Sequence, residues 1–190
     1  MTGRGINLGN VVSFADYRAG AQASAVGLRI WQGIETFDPP NRVHDHADLL
    51  AMAERMLAVR EKRFPALVTA GKMSADQAEA ELATFSAIVA DWRFICTGEG
   101  EAAPLGSLIQ RADALDASLR TIADIARDEG GFSDALADQA ECVIALRWHL
   151  EPGRRTAALS QLAREIRAKS RSANSPTDQA HNHQEANHAV

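Results

Sequence analysis

Apolar residues recur at spacings of three and four along most of this chain, which is the pattern of amphipathic α-helices. The pattern is clearest over residues 48–92, where two apolar stripes of similar length are separated by a few residues around Gly71. Gly71 suits the left-handed residue that ends a helix, and Ser74 with Gln77 suits a capping box that begins the next. Because the connection is so short, the two helices must run antiparallel. The sequence therefore predicts a helical hairpin over about residues 46–96.

A second helical block is predicted over about residues 104–170. Pro104 suits a first helical turn, and Gly130-Gly131 ends the helix that follows it. The apolar positions of that helix alternate three and four apart, like a coiled-coil seam: Leu105, Leu108, Ala112, Leu115, Leu119, Ile122 and Ala126. The seam fits either the core of the monomer or a homodimer. Ser133 suits the cap of a fourth helix, and Pro152-Gly153 separates that helix from a weaker fifth.

The fold class predicted from these patterns is all-α, with four or five helices. The expected organisation is a flexible N-terminal arm over residues 1–44, the hairpin over 45–97, the second block over 103–171 and a disordered polar tail over 172–190. The N-terminal segment holds scattered glycines and one short apolar run with Trp31. It fits an arm docked on the helical body or a short recognition helix. The two helical blocks could share one core or form two separate cores.

Composition and charge narrow the function classes. Hydrophobic residues make up 46% of the chain but aromatic residues only 5%, which favours close-packed helices over a sheet. The net charge of −5 argues against a protein devoted to coating nucleic acid or an anionic membrane. We expect a cytoplasmic protein without membrane contact, since no apolar stretch approaches the length of a membrane span. Cys96 and Cys142 fall on apolar helix faces, so both are expected to be buried.

The hairpin also carries a family-like pattern. The pair Phe64-Pro65 precedes the turn Gly71-Lys72-Met73-Ser74, with further matching residues on both sides: Arg60, Val68, Ala78 and Ile88-Val89-Ala90-Asp91. Over about Arg60–Trp92 the chain resembles short helical-hairpin proteins of bacterial phages and prophages. The resemblance implies a mobile-element origin but carries no established activity. The block from Leu105 to Ser170 lies outside it.

No convergent set of catalytic groups is evident, so we predict no catalytic residue, no metal site and no cofactor. Neighbouring residues such as His44–His46 at a helix start do not converge on one ion. Asp134, Asp138 and Glu141 do share one helix face. They leave open an all-α, magnesium-dependent nucleotide hydrolase, although alternating acids and arginines equally fit the solvated face of a bundle.

Charge is unevenly distributed along the second block. Residues 105–141 hold three basic and eight acidic residues, whereas residues 147–171 hold seven basic and two acidic ones. The basic stretch supplies candidate contacts to nucleic-acid phosphates: Arg154, Arg155, Arg164, Arg167, Lys169 and Arg171. Alternatively, the basic last helix packs beside the acidic third and fourth. The hairpin supplies a second candidate binding surface: Arg60, Arg63, Phe64, Pro65 and Lys72.

The leading hypothesis is a non-enzymatic helical protein, encoded by a phage or prophage, that acts through a protein partner or self-association. Long apolar seams without convergent catalytic groups favour it. A weak, sequence-independent nucleic-acid binder using Arg154–Arg171 is the first alternative, and the magnesium-dependent hydrolase is the second.

Overall fold

The computed structural model describes residues 12–13 and 27–173, and it confirms the predicted all-α class with both helical blocks. The described residues form five α-helices: α1 (His46–Thr69), α2 (Ala75–Thr97), α3 (Leu108–Asp128), α4 (Asp134–His149) and α5 (Thr156–Ala173). None of these helices is long and apolar enough to cross a membrane. The polar tail was predicted from residue 172, but α5 continues through Ala173. Residues 174–190 lie outside the described residues, as do residues 1–11 and 14–26.

The turn of the α1–α2 hairpin has the capping geometry that its residues predict. Gly71 adopts the left-handed conformation with φ +66°. The Lys72 N–H donates to the Leu67 carbonyl at 2.9 Å, and the Gly71 N–H donates to the Val68 carbonyl at 3.0 Å. These two bonds form a Schellman motif, which satisfies carbonyls at the end of α1. Ser74 Oγ then accepts from the backbone N–H of the third residue of α2 at 3.1 Å. Local sequence therefore sets the end of α1 and the start of α2.

A small sheet precedes the helices. Its strands are β1 (Val12–Ser13), β2 (Gly27–Trp31) and β3 (Ile34–Asp38), in the order β1-β3-β2. β2 and β3 pair antiparallel as a hairpin, and the two residues of β1 pair with β3 in parallel.

Over residues 27–38, the β2–β3 hairpin corrects the expectation of a flexible arm or a recognition helix. Its turn is Gln32-Gly33, and both residues have positive φ, as in a type I′ hairpin turn. Trp31, Ile34 and Thr36 are buried, and the first two belong to the main core. Apolar residues on both sides of a two-residue turn favour strands, but the many glycines nearby suggested an unstructured segment instead.

One hydrophobic core joins the two helical blocks. It is built from the β2–β3 hairpin, the first half of α1, the second half of α2, and α3 with α4. α4 lies at its centre, since every residue from 140 to 146 is buried. The apolar seam of α3 is buried in this core at Leu115, Leu119, Ile122 and Ala126, whereas Leu105 is 81% exposed. The main part of the seam therefore belongs to the monomer core.

The α1–α2 hairpin extends beyond this core. Residues 58–84, all of them described, contribute no side chain to the core cluster. Phe64 and Ala78 are nevertheless buried, on the two helices of this distal segment. We call residues 58–84 the arm.

A buried ion pair connects the hairpin to the second block. Asp91 of α2 pairs with Arg111 of α3, and the Arg111 side chain is only 1% exposed. Arg111 also donates to the carbonyls of Ser107 at 3.3 Å and Pro104 at 3.2 Å, while Asp91 accepts from the Ala103 N–H. Buried charges are tolerated when they are paired and hydrogen-bonded in this way. The network therefore fixes the segment between α2 and α3 against the hairpin.

Replacing Arg111 alone should destabilise the protein strongly. The variant Arg111→Leu leaves the Asp91 carboxylate buried without its cation, so we expect the free energy of unfolding to fall by about 3–5 kcal/mol. The double variant Asp91→Leu/Arg111→Leu should recover part of that loss, because neither charge remains. Urea denaturation of the single and double variants measures both effects.

Arg127→Leu is the matched control on the same helix. Arg127 pairs with Asp124, but both side chains are substantially exposed, at 43% and 61%. We expect a loss of at most about 1 kcal/mol there. Equal losses for Arg111→Leu and Arg127→Leu would contradict the role assigned to the buried pair.

Candidate functional site

A first groove runs between α1 and α2 along the arm and encloses about 500 Å³. We call it the arm groove. Apolar side chains dominate its lining, and one acidic side chain joins them: Phe64, Pro65, Val68, Ala75, Ala78, Glu79, Leu82, Ala83 and Ser86. The small alanines leave room between the two helices, so the groove is open to an apolar side chain from outside.

The structure divides the binding surface predicted on the hairpin. Phe64 and Pro65 line the arm groove, whereas Arg63 and Lys72 are exposed and do not line it. Arg60 turns toward the body of the protein. Its guanidinium lies over the Phe85 ring at 3.5 Å from the centroid, and burial lowers its pKa from the ordinary value.

Arg60 also bonds across the base of the arm. It donates to the Met56 carbonyl at 3.0 Å and to Ser118 Oγ of α3 at 3.0 Å. These contacts give Arg60 a structural role, so the exposed cations of the predicted surface are Arg63 and Lys72.

A second groove, of about 970 Å³, lies between α5 and the adjoining ends of α1, α2 and α4. We call it the α5 groove. Its lining combines arginine, histidine and apolar side chains: His46, Ala47, Ile95, Cys96, Thr97, Trp148, His149, Gly153, Arg154, Thr156, Leu159, Ser160, Ala163, Arg164 and Arg167. No aspartate or glutamate belongs to this lining, in a protein whose net charge is −5.

His149 forms the back of the α5 groove and joins three parts of the chain. Its Nε2 lies 2.8 Å from the Val43 carbonyl, which can only accept, so Nε2 carries the proton. Its Nδ1 lies 2.8 Å from Thr156 Oγ1, which can donate to it. Burial lowers the pKa of His149 to about 4. The Val43 hydrogen bond opposes this shift, and the nearby histidines and Arg154 add to it. His149 is therefore neutral near pH 7 and fully hydrogen-bonded.

Three aromatic rings pack around His149. His46 and Trp92 each meet His149 edge to face, with ring centroids 5.9 Å and 5.0 Å away. Trp148 packs on the other side at 5.0 Å. Edge-to-face packing of this kind stabilises aromatic clusters beyond the area that they bury.

The basic residues predicted as nucleic-acid contacts are divided between the α5 groove and the outer surface. Arg154, Arg164 and Arg167 line the groove. The others are exposed and do not line it: Arg155, Lys169 and Arg171. α5 rests on α2, rather than beside the acidic α3 and α4 as the alternative expectation had it.

Two of the groove arginines also hold α5 in place. Arg154 stacks on Trp148 at 3.5 Å from the ring centroid and pairs with Glu151 at 3.2 Å. Arg164 donates to the Ile95 carbonyl at 3.2 Å. This carbonyl lies at the C-terminal end of α2, where the helix dipole favours a positive charge. The Arg164 side chain passes so close to Gly98 that a Cβ there would come within 2.9 Å of it. Gly98 also has a left-handed backbone, with φ +80°. Both the close approach of Arg164 and this conformation therefore favour glycine at the position.

The acidic face of α4 is occupied by a cation of the protein itself. Arg42 pairs with Asp138 and lies 3.8 Å from the buried Glu141, which also accepts from Asn41 at 3.3 Å. Asp116, one of the acids of α3, pairs in turn with Arg147 of α4 at 3.1 Å. Within residues 12–13 and 27–173, no group of three or more histidine, cysteine or acidic side chains is arranged to hold a metal ion.

The two cysteines differ in their environment. Cys142 is buried as expected, and burial raises its pKa to about 11. Cys96 is exposed, contrary to expectation, and lines the α5 groove with its Sγ 3.3 Å from the His46 carbonyl. Sequence reasoning missed His46, Cys96 and His149 as neighbours because they come from three helices and share no local pattern.

Comparison of the chain with protein-family models, curated proteins and solved structures finds no match in any of the three.

The depressed pKa of His149 predicts a pH-dependent stability. The folded-state pKa of about 4 lies below the ordinary value of 6.5, so the unfolded chain binds more protons between these pH values. The stabilisation is complete above pH 6.5 and is lost as the pH falls toward 4. Between pH 7 and pH 5 the free energy of unfolding should fall by about 2 kcal/mol from this group. Urea denaturation at each pH measures it.

The variant His149→Phe should flatten this pH dependence, because it removes the titrating group and keeps an aromatic ring. His44→Gln, which removes an exposed imidazole nearby, is the control and should keep most of the wild-type dependence, because His44 is only one of the smaller causes of the shift. An unchanged pH dependence in His149→Phe would show that another group causes it.

Proposed function

We propose that this chain is a non-enzymatic helical accessory protein, cytoplasmic and of phage or prophage origin, that binds a protein partner through the arm groove. The observation that carries this proposal is the position of the groove. The arm lies outside the core cluster, yet Phe64, Pro65, Val68 and Leu82 line an open groove there. Apolar grooves that do not contribute to a core are typical of surfaces that bind other proteins.

The shape of the arm groove favours an amphipathic helix as its occupant. On α2 the lining runs from Ala75 to Ser86, a length of about 16 Å or three helical turns. Helices bind such grooves by inserting apolar side chains spaced three and four apart. Glu79 is the only charged residue of the lining, so a basic side chain beside the apolar anchors would complement it.

The proposed phage or prophage origin rests on the hairpin resemblance, most of whose residues lie in the arm. Phe64-Pro65 lines the groove, and Gly71 and Ser74 form the turn at its end. If this chain and the phage hairpin proteins share a binding role, the residues that shape the arm are the ones we expect them to have in common. The identity of the neighbouring genes tests the origin: phage structural, replication or regulatory genes beside this one would support it.

A charge placed in the arm groove should abolish partner binding without unfolding the protein. Ala83 lines the groove and is exposed, so Ala83→Arg leaves the core intact but blocks an incoming apolar side chain. We expect the partner that co-purifies with the wild-type protein to be lost. Binding of that partner, once isolated, should weaken at least about tenfold when measured by calorimetry.

Ala80→Arg is the matched control, since Ala80 is exposed on the same helix but does not line the groove. It should bind the partner like the wild type. Equal binding by both variants would refute the arm groove as the interface. If light scattering instead shows a wild-type dimer that Ala83→Arg dissociates, the occupant is a second copy of this chain and a separate partner is excluded.

A further inference from the structure

We propose that the α5 groove binds a small organic anion that carries an apolar body, such as an alkyl carboxylate or an alkyl phosphate. This inference is independent of the role of the arm. It rests on uncompensated positive charge and an apolar wall in the same groove.

The positive charge of the α5 groove is concentrated on Arg164 and Arg167. Arg154 is paired with Glu151, but neither Arg164 nor Arg167 has a carboxylate within ion-pair distance in the part of the chain that the structure describes. Arg164 is held by the Ile95 carbonyl and the Phe94 ring, which leaves most of its five N–H donors unused. Its Nη2 is shielded from solvent and has no hydrogen-bond partner among the described residues. Guanidinium groups in this state favour a carboxylate or phosphate.

The wall beside these arginines is apolar. Ile95, Leu159 and Ala163 line it, and Leu159 is 60% exposed even though it faces a groove. A bound apolar body would remove this surface from water. The volume of about 970 Å³ is within the range of small-molecule sites, and the aromatic wall around His149 is already formed.

The same geometry separates the α5 groove from a surface that would bind the phosphates of nucleic acid. A nucleic-acid backbone follows an exposed track of basic residues. On α5 such a track would include Lys169 and Arg171, which lie outside the groove. The uncompensated arginines beside an apolar wall fit one compact anion better.

The test uses octanoate and octyl phosphate as probes, with calorimetry on the full chain at concentrations below those at which the probes form micelles. We expect saturable binding of one molecule per chain. Arg167→Gln should weaken the binding of both probes about tenfold or more, since it removes a charge-assisted hydrogen bond. Lys169→Gln removes the same charge two residues away, outside the groove, and should change the affinity less than about twofold. Arg167 and Lys169 are both exposed, so neither change should affect folding.

A second variant tests the apolar wall. Leu159→Ser should weaken octyl phosphate binding about tenfold and leave the binding of inorganic phosphate unchanged. The proposal is overturned if neither octyl probe binds saturably, or if inorganic phosphate binds as tightly as octyl phosphate. It is also overturned if Arg167→Gln and Lys169→Gln weaken binding equally. Tighter binding of a single-stranded oligonucleotide, equally weakened by both variants, would assign the basic residues to nucleic acid instead.

Discussion

The arrangement of the two helical blocks depends on the buried ion pair between Asp91 and Arg111. Apolar contacts between helices are not directional, so by themselves they leave the register between the blocks weakly defined. The ion pair allows one geometry, because Arg111 also bonds the carbonyls of Pro104 and Ser107 just before α3. With α3 fixed there, α3 and α4 complete a core with the first half of α1 and the second half of α2. The arm remains uncovered as a consequence.

α5 is attached in a different way. The positions that it turns toward the body are small or polar, including Thr156, Ser160 and Ala163. Its large apolar residues stay largely exposed: Leu159, Leu162 and Ile166. The helix is therefore held chiefly by polar and stacking contacts, such as those of Arg164 with the end of α2 and of Thr156 with His149. This attachment leaves space between α5 and α2, which forms the α5 groove. The α5 groove is basic, whereas the arm groove is mainly apolar.

The sequence predicted the apolar part of the candidate surface on the hairpin, but it did not predict which charged residues are exposed. Phe64-Pro65 was singled out by the family-like pattern of the hairpin, and both residues line the arm groove. Arg60 was taken as an exposed cation, but it stacks on Phe85 of the other helix and bonds Ser118 of α3. A charged residue is exposed or buried according to whether distant residues provide rings and acceptors for it, and its own neighbours in sequence do not reveal this.

The sequence by itself determined the helices and the turn of the α1–α2 hairpin. These depend on bonds between residues a few positions apart, such as Ser74 with Gln77 or Lys72 with Leu67. Tertiary structure decided which charges are buried and which side chains meet in the α5 groove. His149 bonds a carbonyl 106 positions away, and Glu141 bonds a side chain 100 positions away. Periodicity reports which face of a helix is apolar, but it does not report which other helix covers that face, and the electrostatics of both grooves follow from that choice.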